Sequence, residues 1–66
     1  MTIKEVQERV SEISNASGDD ERAHSMEDDL YQDLLEAIES GEAEAPQAMC
    51  QIALTTKAMD FARWCA

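Results

Sequence analysis

A chain of 66 residues has room for one small domain and no second core. It carries fifteen Asp and Glu against five Lys and Arg, a formal charge of −10, and Leu, Ile, Val and Phe supply only 11 residues. That balance borders on intrinsic disorder, so a thin core is expected to need self-association or a partner. It also disfavours direct nucleic-acid binding, which requires basic residues to displace counterions.

No apolar run approaches the roughly 20 residues of a membrane span, and no signal-peptide pattern precedes Lys4 and Glu5. Two cysteines, Cys50 and Cys65, make neither a disulfide framework nor a zinc cage, so reduced thiols in a cytoplasm are the expectation. On one continuous helix they would stand roughly 22 Å apart, too far to bridge. The charge is uneven: between Asp19 and Glu44 eleven acids face only Arg22, while the flanking segments nearly balance.

The first segment reads as a helix over 2–15. Thr2 with Glu5 three residues on is a capping-box pattern, and Ile3, Val6, Val10 and Ile13 form a narrow seam like that of a coiled coil. The run Ser14–Gly18 ends it, with Gly18 able to take the left-handed terminal conformation.

The second helix is expected over 19–40, capped by Asp19 or Asp20, with Gly41 just past its end. Ala23, Met26, Leu30, Leu34, Ala37 and Ile38 mark one stripe, which Tyr31 and Leu35 widen to about half the circumference. So broad an arc contacts two neighbours. The third helix begins at Pro46, a residue suited to a first helical position, and carries Met49, Ile52, Ala53 and Thr56, with Cys50 and Leu54 at the border. Continued further, it would drive Lys57 and Asp60 into its own apolar stripe. A break near Thr56–Met59 is therefore expected, ending the helix at 46–56, then a short turn over 60–65 placing Phe61, Trp64 and Cys65 on one side. No segment alternates as a strand does. The expectation is an all-α fold over 1–66: a helical hairpin, a third helix and a short C-terminal helical turn.

The stretch Ala23-His24-Ser25-Met26-Glu27-Asp28-Asp29-Leu30-Tyr31 resembles the middle of short uncharacterised acidic proteins encoded by tailed phages and prophages. The ending Asp60-Phe61-Ala62-Arg63-Trp64-Cys65-Ala66 resembles how such proteins finish, and the likeness covers roughly residues 18–66. It implies a phage or prophage origin, action in the host cytoplasm and no catalytic residues.

His24, Glu27 and Tyr31 fall on adjacent turns of the second helix, an arrangement that suggests half of a metal site or an acid–base pair. Too few strong ligands are available to complete it. The expectation is a polar rim, with Glu27 facing Lys4 or Arg9 and no metal or cofactor. Glu-x-x-Glu spacings at Glu5/Glu8, Glu36/Glu39 and Glu39/Glu42 match the magnesium sites of helical nucleotide pyrophosphohydrolases, but nothing basic or Gly-rich is placed to cradle phosphates.

The acidic stripe has a sharper reading. A helix over Asp19–Glu44 would span roughly 39 Å, one acid per roughly 3.5 Å, close to the charge spacing of one DNA strand. Asp28, Asp29, Asp33, Glu36 and Glu39 are therefore candidates to meet a basic surface on a host protein, a nucleic-acid-binding or defence factor being the implied class, which the chain would modulate or inhibit. An enzyme using carboxylates and a divalent metal, or a structural accessory, are the alternatives. Core and dimer contacts are assigned to Ile3, Val6, Val10, Ile13, Met26, Leu30, Leu34, Ile38, Phe61 and Trp64, with a homodimer expected through the first-helix seam.

Overall fold

A computed structural model describes residues 1–63. Among them the chain is all-helical and strand-free: α1 (Ile3–Asn15), α2 (Asp20–Glu39), α3 (Pro46–Leu54) and a 3-10 turn over Thr55–Ala58. The three α-helices pack mutually, α1 lying against both α2 and α3.

Local chemistry sets the helix ends. At α1 the Thr2 hydroxyl accepts from the Glu5 N–H while the Glu5 carboxylate accepts from the Thr2 N–H, satisfying two donors that a helix start otherwise leaves open. Asp19 caps α2 by accepting from the Arg22 N–H at 3.2 Å. Its far end closes as a Schellman motif: the Glu42 N–H bonds the Ala37 carbonyl at 2.8 Å and the Gly41 N–H bonds Ile38 at 3.2 Å. Gly41 takes φ +79°, the left-handed conformation this closure needs.

Gly18, by contrast, has no positive φ, because α1 closes earlier, with the Ala16 N–H reaching back to Glu12 and Ile13. The left-handed conformation expected at Gly18 is therefore not taken there, and of the two glycines only Gly41 adopts it. Gly18→Ala meets open space and should be neutral to stabilising by up to about 1 kcal/mol, whereas Gly41→Ala should cost about 1 kcal/mol or more. Chemical denaturation of the two variants checks the contrast.

The core gathers Val6, Ile13, Ala23, Leu30, Leu34, Met49, Ala53 and Phe61, with Ile3, Val10, Met26 and Ile38 partly buried against it. Val6 and Ile13 are completely enclosed within one chain. Of the α1 seam, Val6 and Ile13 are thus covered within one chain, while Ile3 and Val10 are partly buried. Leu35 stays 67% exposed, so the apolar arc of α2 is narrower than half the circumference; Leu54 on α3 is 59% exposed.

After the 3-10 turn the backbone straightens at Met59 (φ −76°, ψ 142°), and residues 60–63 are not helical. The expected turn over 60–65 is thus absent from its described part. Contacts from Arg63 to the carbonyls of Thr56, Met59 and Phe61 bind this segment in a non-helical path. Trp64 and Cys65 lie outside the described residues.

Candidate functional site

Glu27 sits one turn before Leu30 on α2, on the stripe that faces the interior, and its side chain is 1% exposed. An enclosed carboxylate is costly unless it is paired and hydrogen-bonded. The 3-10 turn brings Thr56 and Lys57 beside it, and the extended stretch after Met59 brings Arg63 over it. Arg63 grips Glu27 with a two-pronged bond: Nε donates to Oε1 at 2.8 Å and Nη2 to Oε2 at 3.1 Å. The same guanidinium donates to the Thr56 carbonyl at 2.6 Å and lies 4.0 Å from the Phe61 ring centre.

Lys57 Nζ is 3.6 Å from Glu27 Oε1 and 5.3 Å from the Tyr31 ring centre. A hydroxyl pair borders the cluster. The Tyr31 and Thr56 hydroxyls share a hydrogen bond, and the Tyr31 hydroxyl also lies 3.4 Å from the Ala53 carbonyl. No enclosed side-chain N or O among the described residues lacks a partner. Burial pushes the Glu27 carboxyl up, but the bonds from Arg63 and Thr56 and the charge of Lys57 outweigh it and hold the group below the usual carboxylate range.

Chemically this is a clasp. Both carboxylate oxygens are engaged by Arg63, so Glu27 is poorly placed to serve as a base or a metal ligand. Glu27 does not face Lys4 or Arg9 as expected; Arg9 turns to Asp33, with Nη1 to Oδ2 at 2.7 Å. His24 Nε2 stands 3.4 Å from Asp28, one turn along the exposed side. Among the described residues no three His, Cys, Asp or Glu side chains converge to hold a metal. Calorimetry with zinc, manganese and magnesium should show only weak, salt-screened binding. A stoichiometric site of micromolar affinity that His24→Ala removes would overturn that expectation.

The five candidate carboxylates, Asp28, Asp29, Asp33, Glu36 and Glu39, are all exposed along α2. Asp33 is partly neutralised by Arg9, and Asp28 adjoins His24. The role of Arg63 escaped the sequence reading because it lies 36 residues from Glu27. One signal was present: the chain holds few bases, and Lys57 and Arg63 flank the only stretch that a helical continuation would have spoiled.

Among the described residues these features define a small all-α acidic protein with an enclosed ion cluster and an anionic helix face. No family model, curated protein or solved structure matches the chain. No helix among the described residues is long and apolar enough to cross a membrane.

Proposed function

We propose that this chain is a non-enzymatic interaction protein that binds a protein with a basic surface through the anionic face of α2, and so modulates or inhibits it. In the phage setting implied by the sequence resemblance, the target is a host protein that itself handles nucleic acid or serves in defence. One observation carries the reading: five carboxylates stand exposed along a 20-residue helix, about 30 Å long. Lys57 and Arg63 are engaged by Glu27 and Arg9 pairs with Asp33, so few bases remain to neutralise the other four carboxylates.

The test is capture from host lysate at graded salt, comparing the wild-type chain with an Asp28→Lys/Asp29→Lys/Glu36→Lys variant. Asp33 is left intact because a lysine there would face Arg9 and disturb the α1–α2 contact. The variant should keep its helicity and lose the captured protein. Added salt and added nucleic acid should both weaken wild-type capture. Undiminished capture by the variant would overturn the reading.

A further inference from the structure

On the side of the molecule where α2 meets α3, Tyr31, Leu34, Leu35, Cys50, Ala53 and Leu54 line an open groove of about 210 Å³. Leu35 and Leu54, the two large apolar side chains left most exposed among the described residues, are among its walls. Two large exposed leucines lining one groove mark an interaction site more than scattered surface apolar residues do.

We propose that this groove receives an amphipathic, basic helix of the partner protein, whose apolar face covers Leu35 and Leu54 while its cationic flank meets α2. The proposal rests on the function proposed above and names the part of the partner that is recognised. Size and charge both support it. Leu35 follows Tyr31, and Leu54 follows Cys50, by one helical turn, about 6 Å. That length matches two apolar side chains at i and i+4 on an incoming helix.

The charge is one-sided. At 100° per residue Asp28, Leu35 and Glu39 fall within about 40° of one another on α2, so acids run along the same strip as the groove wall. The opposite wall is neutral, since α3 carries no charged residue from Pro46 to Leu54. Lys57, near the Tyr31 end, is already held by Glu27. A second copy in the groove would set two chains of −10 against each other with their acidic strips adjacent. A cationic partner meets attraction at the same positions.

Three synthetic peptides test this by fluorescence titration: a Leu/Lys amphipathic helix, the same apolar face with a Ser/Gln flank, and a lysine-rich peptide without an apolar face. The first should bind best, tenfold or more above the second. Leu35→Gln and Leu54→Gln should each weaken it by about tenfold, because each removes a buried leucine contact. Both positions are exposed, and circular dichroism should report unchanged helicity. Bound peptide should also slow alkylation of Cys50, which lines the groove.

Equal binding of the first two peptides, or binding indifferent to both leucine substitutions, overturns the proposal. So does wild-type self-association in sedimentation that Leu35→Gln abolishes, which would make the groove a contact between copies. Lysate capture separates the two readings. If it is lost in the lysine triple variant but unchanged in Leu54→Gln, the acidic face binds and the groove does not.

Discussion

Replacing Glu27 with Gln should destabilise the chain by about 2–3 kcal/mol, a large share of the roughly 3–10 kcal/mol expected for a domain of this length. The substitution keeps the volume and removes the charge that Arg63 and Lys57 face. Breaking an enclosed ion pair by removing one member generally costs about 3–5 kcal/mol, because the other charge is left without compensation. Here the loss falls at or below the bottom of that range, since Arg63 and Lys57 are 25% and 54% exposed and can turn partly to water. The melting temperature should drop by about 10–20 °C.

Acidification supplies a second readout for the same residue. The folded Glu27 carboxyl sits below its ordinary value, so its contribution is complete above the unfolded value of about 4.3 and disappears as pH falls through the depressed folded one. Relief of repulsion among the surface acids acts in the opposite direction in both proteins and cancels in their difference. The gap between wild type and Glu27→Gln should therefore be constant from pH 7 to about 5 and close at lower pH. A gap that is small at neutral pH, or that persists unchanged into strong acid, would show that the ion cluster does not hold the fold.

Val6→Asp should unfold the chain outright. Val6 is completely enclosed, and a carboxylate placed there must leave water, a penalty of several kcal/mol. Val10→Asp should be milder, because Val10 is only partly buried and an acid there can reach solvent. Circular dichroism and sedimentation at several concentrations distinguish two roles for the seam. As core, it predicts unfolding by Val6→Asp that added protein does not rescue. A folded monomer of Val6→Asp derived from a wild-type dimer would instead make the seam an interface between copies.

Much of the helical framework was legible residue by residue. The Thr2–Glu5 capping box, the Asp19 cap, the start at Pro46 and the stop at Gly41 are local bonds among residues at most five apart, so short patterns report them directly. A break was also foreseeable, because a longer helix would have buried Lys57 and Asp60; it was expected near Thr56–Met59, and α3 gives way to the 3-10 turn already after Leu54. The exposure of the five carboxylates on α2 follows from the same 3.6-residue period that buries Leu30 and Leu34.

What the tertiary structure decided concerns residues far apart in the chain. Periodicity assigns a residue to an apolar arc but not to the neighbour that covers it. It could not say that Val6 and Ile13 are covered by α2 and α3 of the same chain, nor that Leu35 at the edge of the arc is left bare. Glu27 lies on the buried side by the same wheel, yet its partner waits 36 residues away on a segment that abandons helical form to reach it. Local hydrogen bonding determines where helices begin and end. Only the packing of the three helices, and the need to neutralise one enclosed carboxylate, determines which surface closes and which remains open.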